Sequence, residues 1–127
     1  MRIYISGPVT GVADYKGKFL CAEYQLLQRN WNPPVEIINP VRVLENMPAD
    51  TPWGQFMDLT LAVMRGCDAI YMLRGWENSR GAQVEKLYAE GCGMKVMYED
   101  ETGITFQGFP NLDIPEERKT KPKNILM

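Results

Sequence analysis

The chain alternates short β-branched or apolar runs with stretches of helical periodicity, and that alternation restricts its fold more than any other feature. "RIYIS" at residues 2–6 alternates and reads as a strand. Residues 16–30 carry Phe19, Leu20, Tyr24 and Leu27 at helical spacing, and the prolines of "NWNPP" stop that helix. "VEIIN" at 35–39 is a second strand, followed by a loop rich in Pro and Asp, "PVRVLENMPADTP". Trp53, Phe56, Met57, Leu61 and Met64 then mark one face of a second helix. "DAIYML" at 68–73 is almost wholly apolar, as a central parallel strand should be. The loop "RGWEN" leads into a helix from about Ser79 to Gly91, with Gly91 and Gly93 as stop signals, and "KVMYE" at 95–99 is a fourth strand. The order βαβαβαβ predicts an α/β sandwich of three layers with a mainly parallel sheet of four or five strands.

Such sheets bind ligands beyond the carboxyl ends of their strands, near the switch point in strand order. The loops after Ser6, Asn39 and Leu73, with the helix start at Ser79, are therefore the expected site. Residues 100–127 are polar, Pro-rich and non-periodic, and read as an extension holding an edge hairpin before a loose basic tail. The main domain is then 1–99.

At 127 residues the chain is long enough for one domain with a real core. The net charge of −2 and the lack of a basic stripe argue against duplex nucleic acid as a partner. No run of about 18 apolar residues is present to span a membrane, and "MRIYISGP" reads as a strand rather than a signal peptide. Cys21, Cys67 and Cys92 form no C-x-x-C pair and read as reduced core thiols of a cytoplasmic protein. With no histidine and no cluster at ligand spacing, neither a metal nor a cofactor is expected. Acid–base chemistry falls to carboxylates, Tyr, Lys or Cys.

Within the last helix, Gln83, Lys86 and Glu90 share a face expected to be solvated, while Gly81, Ala82, Tyr88, Ala89 and Cys92 form a small apolar one. Glu85 lies amid the apolar face. A buried carboxylate is costly unless it is paired or useful. Two readings stand: Glu85 leans out to a Lys or Arg, or it faces a ligand past the notch at Gly81. Ser79 is an expected N-cap, and the same helix start, with Arg80 beside it, suits an anion. "SGPVTG" lacks the pattern of a phosphate loop, yet Ser6 and Gly7 expose backbone at a strand end. Tyr4 reads equally as core. Trp76 reads as a lid over a base, an interface anchor or plain packing.

Taken together, "MRIYISGPVTG", "INP", "CDAIYMLRGWENSRGAQVE" and "GMKVMYE" resemble the DUF4406 family over residues 1 to about 99. These are small proteins frequent in bacteriophage genomes and related to nucleoside 2-deoxyribosyltransferases and nucleotide N-glycoside hydrolases. The resemblance implies a flavodoxin-like domain that dimerises and cleaves the bond between a base and deoxyribose. It implies that Glu85 is the nucleophile, in the pattern Gly-x-x-x-Glu with Gly81, and that Tyr4 lies near it. It makes Ser79 the residue that receives a 5′-phosphate. Ser6, Gly7, Asn39 and Trp76 would border the rest of a small nucleotide. Relatives often carry an aspartate eight residues before the third-strand aspartate, Asp68; here Thr60 stands there, and Asp58 lies about 200° away on the helix. The competing expectation is a protein that binds or sequesters nucleotides without turnover.

Overall fold

Five strands form one sheet in the order β2-β1-β3-β4-β5 in the computed structural model, which describes residues 1–100 and 103–105. In chain order the elements are β1 (Arg2–Ser6), α1 (Tyr15–Leu27), β2 (Glu36–Ile38), α2 (Pro40–Leu44), α3 (Trp53–Met64), β3 (Ala69–Met72), a single 3₁₀ turn at Trp76–Asn78, α4 (Arg80–Gly91), β4 (Lys95–Asp100) and β5 (Gly103–Thr105). The first four strands are parallel, and β5 returns antiparallel on β4. The chain is thus the α/β layered sandwich that the alternation predicts. The basic tail lies outside the described residues.

Strand order reverses between β1 and β3, the flavodoxin-like arrangement whose switch point lies between those strands. Side chains along a strand alternate between faces. Ile3 and Ile5 of β1 therefore enter one core with Phe19, Ala22 and Leu26 of α1 and Val41 of α2. Tyr4 enters the other, with Met64, Ile70, Met72, Ala82 and Ala89. The sheet separates an α1–α2 layer from an α3–α4 layer, and β3 is buried along its whole length.

Several details differ from the sequence reading. The Pro-rich loop after β2 begins with a helix, α2, because Asn39 caps it through Val41 N (3.1 Å) and Pro40 occupies the first turn, where its missing N–H costs nothing. The first helix ends at Leu27, before the prolines. It buries Phe19, Ala22 and Leu26, so Leu20, Tyr24 and Leu27 lie exposed. The apolar spacing there was shared between two faces, and the sheet took the one carrying Ala22. Cys67 is buried, but Cys21 and Cys92 are exposed, because they fall on outward positions of α1 and at the end of α4. Lys86 is half-buried rather than solvated, since it lies 5.3 Å from the Trp76 ring while pairing with Glu90 at 2.6 Å.

Candidate active site

The site is built on β1. Tyr4 and Ser6 are two residues apart in a strand and so face the same way, toward α4. Opposite them, Ala82, Glu85 and Ala89 are the buried positions of α4. The small alanines on either side let the helix sit close to the sheet, which brings Glu85 directly over the strand end. Ser6 donates to Glu85 Oε1 at 2.6 Å, and Tyr4 donates to Oε2 at 3.0 Å. Glu85 is only 7% exposed, so the carboxylate does not lean out; among the described residues no cation pairs with it, and two hydroxyls receive it instead.

A third hydroxyl comes from α3. Thr60 is 4% exposed and lies on the buried face of that helix, between Met57 and Met64. Its Oγ1 donates to the Met57 carbonyl of its own helix at 3.3 Å. Burial pushes the Glu85 pKa up, and hydrogen bonds from Ser6, Thr60 and Tyr4 each pull it down. Burial and the neighbouring Glu85 charge drive the Tyr4 phenol well above its usual value, so Tyr4 remains a protonated donor. The result is a near-dry carboxylate that accepts from Ser6 and Tyr4. Among the described residues no group of His, Cys, Asp and Glu could hold a metal ion.

Ser79 is the N-cap of α4, its Oγ accepting from Ala82 N at 3.2 Å. A hydroxyl that accepts one bond still has a proton to donate. Six residues at 1.5 Å each separate Ser79 from Glu85 by about 9 Å along the helix. The glycine between them faces α3: a Cβ on Gly81 would lie 3.4 Å from Met57 Sδ and 3.8 Å from Trp53 Nε1. The expected notch is therefore bordered by α3. Arg80 lies 3.9 Å over the Trp53 ring, a cation–π stack at the helix start. Gly7, just past Ser6, is required sterically, because a Cβ there would meet Leu73 Cβ at 2.8 Å. That contact closes β1 against β3 at the switch point.

Two predicted residues are engaged elsewhere. Asn39 follows Ile38, the partner of Tyr4, and so turns to the opposite face. There it bonds Phe19 O (3.2 Å) and Glu23 Oε1 (3.0 Å) of α1, across the sheet from Glu85. Trp76 packs on Tyr98 at 6.0 Å between ring centroids, and Lys86 approaches its ring. It anchors the β3–α4 loop to β4. The aromatic side chain beside Gly81 is Trp53, which periodicity alone marks only as part of a helix face. Thr60 stands out in the sequence only as a departure from the aspartate of relatives. Neither could be placed without knowing how α3 packs on α4.

The family model described as a domain of unknown function, DUF4406, matches residues 1–98. A comparison of the sequence with curated proteins finds no significant match. Among solved structures the chain is similar to a 2-desoxiribosyltransferase from Leishmania mexicana, at 24% identity and a TM-score of 0.54. That similarity covers 77% of this chain and 63% of the other, so the chain spans less than two thirds of the length of that protein. At that identity the likeness is one of fold.

Proposed function

The chain belongs to the DUF4406 family, and from that premise we propose that it breaks or transfers the N-glycosidic bond of a 2′-deoxynucleotide, with Glu85 as nucleophile. The observation that carries this reading is the buried Glu85 carboxylate held by Ser6 and Tyr4 at the switch point of the sheet. Burial without a cation is costly, and catalytic groups are where such costs recur. The fold shared with a deoxyribosyltransferase supports the choice of chemistry.

In the first step a Glu85 oxygen attacks C1′ of the sugar. A C–O ester bond forms, the C1′–N bond breaks, and the electron pair leaves with the base, which takes a proton from solvent. In the second step water attacks C1′, releasing the sugar and restoring the carboxylate. A second base attacking in place of water gives transfer. Covalent catalysis splits one hard displacement into two easier ones, and attack requires the ionised carboxylate. Ser6, Thr60 and Tyr4 favour that form against the burial that opposes it. Tyr4, protonated throughout, holds Oε2 and leaves the attacking geometry defined.

Ser79, with the free N–H groups of the α4 start, would receive a 5′-phosphate. The backbone at Ser6 and Gly7 would border the sugar, and Trp76 and Trp53 are the aromatics available to a base. Asn39 would act on the site through the placement of α2. The small-molecule partner is thus a nucleoside or its monophosphate. The exposed Tyr24, Leu27 and Leu87 fit self-association into a homo-oligomer. Sedimentation as a monomer at high concentration would remove that part.

A second reading, nucleotide binding without turnover, draws on Thr60. The group that α3 supplies to the Glu85 cluster is a hydroxyl, which cannot serve as a carboxyl acid for the leaving base. Incubation with each deoxynucleoside and its 5′-monophosphate, followed by chromatography for free base, separates the two. Release that disappears in Glu85→Ala supports the enzyme. Binding by calorimetry without release supports the second reading.

A further inference from the structure

We propose that the two oxygens of Glu85 have separate duties: the oxygen held by Ser6 attacks the sugar, and the oxygen held by Tyr4 stays anchored. Ser6 is then a positioning residue, which aims the attacking oxygen and releases it as the bond to C1′ forms. This rests on the reading of Glu85 as nucleophile, and it deepens that reading.

The direction of β1 carries the assignment. Ser6 is the last residue of β1 and pairs with Met72, the last of β3, so both strands end at that level. Tyr4 lies two residues back, roughly 7 Å deeper in the sheet. Ser6 donates to Oε1 at 2.6 Å and Tyr4 to Oε2 at 3.0 Å. The line from Oε2 to Oε1 therefore runs along β1 toward its carboxyl end. Ligands of such a sheet sit beyond that end, at the switch point between β1 and β3. Oε1 is the oxygen on that side. Oε2 points back toward the core of Tyr4, Met64, Ile70 and Met72, where a sugar could reach it only by displacing packed side chains.

The two donors also differ in freedom. The Tyr4 hydroxyl ends a ring packed in that core, so its direction is fixed. At Ser6 only the backbone is fixed: Leu73 N donates to Ser6 O at 2.8 Å, and Leu73 fills the space a side chain on Gly7 would need. The Ser6 hydroxyl is a rotor on that fixed backbone. It can turn away from Oε1 without moving the strand.

Attack makes the Oε1–C1′ bond and breaks the C1′–N bond, whose electron pair leaves with the base. Oε1 changes from a charged acceptor to the linking oxygen of an ester, a poor acceptor crowded by C1′. The bond from Ser6, about twice as strong to a charged acceptor as to a neutral one, is given up. Oε2 becomes the ester carbonyl oxygen and still accepts from Tyr4. When water attacks C1′, the Oε1–C1′ bond breaks and its electron pair returns to the carboxylate. The Tyr4 bond strengthens as that charge returns, so Tyr4 assists the second step throughout.

Two measurements test this. The first traps wild-type protein with a 2′-fluoro-arabinonucleoside 5′-monophosphate, whose fluorine slows both steps, and solves the structure of the adduct. C1′ is expected on the oxygen nearest Ser6, with the Tyr4 hydroxyl still donating to the other. The second follows the adduct by rapid acid quench with a natural deoxynucleoside monophosphate in wild type, Ser6→Ala and Tyr4→Phe. Tyr4→Phe is expected to slow adduct loss about tenfold more than Ser6→Ala does, so that the adduct accumulates in Tyr4→Phe. Ser6→Thr, which keeps the hydroxyl, is expected to restore the base release that Ser6→Ala loses. C1′ on the oxygen nearest Tyr4, or adduct accumulating in Ser6→Ala as much as in Tyr4→Phe or more, overturns the proposal and leaves Glu85 the nucleophile. Wild type that forms no adduct and releases no base overturns the glycosidic reading, and this proposal with it.

Discussion

The Tyr4 hydroxyl donates to Glu85 Oε2 at 3.0 Å across 81 residues of sequence, joining the first strand to the last helix beneath the switch point of the sheet. With Ser6 on the other oxygen, the bond explains how a carboxylate can sit 7% exposed on the packed face of α4. It also makes the site a point of stored cost in the fold. From that cost the following outcomes are expected.

Glu85→Gln should abolish base release yet raise thermal stability at neutral pH. Burial holds the folded-state pKa of Glu85 above its unfolded value, so the folded state binds more protons between the two. Wild-type stability relative to the variant is thus fully present below the unfolded pKa and is lost as pH rises through the folded one. The Tm advantage of Glu85→Gln should be small near pH 4, grow as pH rises and then level off. A constant or shrinking difference between pH 4 and 8 would refute the burial argument.

Ser6→Ala should remove the shorter of the two donors from β1 and lower kcat/KM at acid pH more than at alkaline pH, because the ionised form loses a bond that favours it. Steady-state rates across pH check this. A uniform loss at all pH values would assign Ser6 to substrate contact instead.

Gly7→Ala should destabilise the fold by about 1–3 kcal/mol, since the new methyl would lie 2.8 Å from Leu73 Cβ and one strand end must shift. Denaturant melts measure it. Gly81→Ala meets only ordinary contacts, and should keep the fold while raising KM if a ligand uses that space.

Ser79→Ala should cost about 1 kcal/mol from the lost cap to Ala82 N, a fall in Tm of roughly 3–5 °C. Its separate signature is a smaller preference for monophosphate over nucleoside. An unchanged ratio would leave Ser79 a cap alone.

The layered fold was legible because its signals are local. The apolar run at 68–73 and the alternation at 2–6 mark strands whatever surrounds them. Glu85 was legible for the same reason, as a charge among Ala82 and Ala89 at helical spacing. The hydroxyls of Tyr4 and Ser6 share a face by strand alternation, but that the face is the one α4 covers is a tertiary fact. Asn39 shows the limit: its place at a strand end was right, but its side chain turns to α1 and clasps Glu23. Thr60 and Trp53 reach the site only through the packing of α3 on α4, which no periodicity records. The exposure of Leu20, Tyr24 and Leu27 has the same origin, because two faces of α1 were apolar enough for the sheet to choose between.

The most direct test of Glu85 as nucleophile is an acid-quenched reaction with 2′-deoxynucleoside 5′-monophosphates, read by peptide mass spectrometry beside free-base release. The account predicts a mass increment of one deoxyribose phosphate on the peptide holding Glu85, accompanied by free base, with both lost in Glu85→Gln. Base released by Glu85→Gln at the wild-type rate, or the sugar found on another residue, would contradict it.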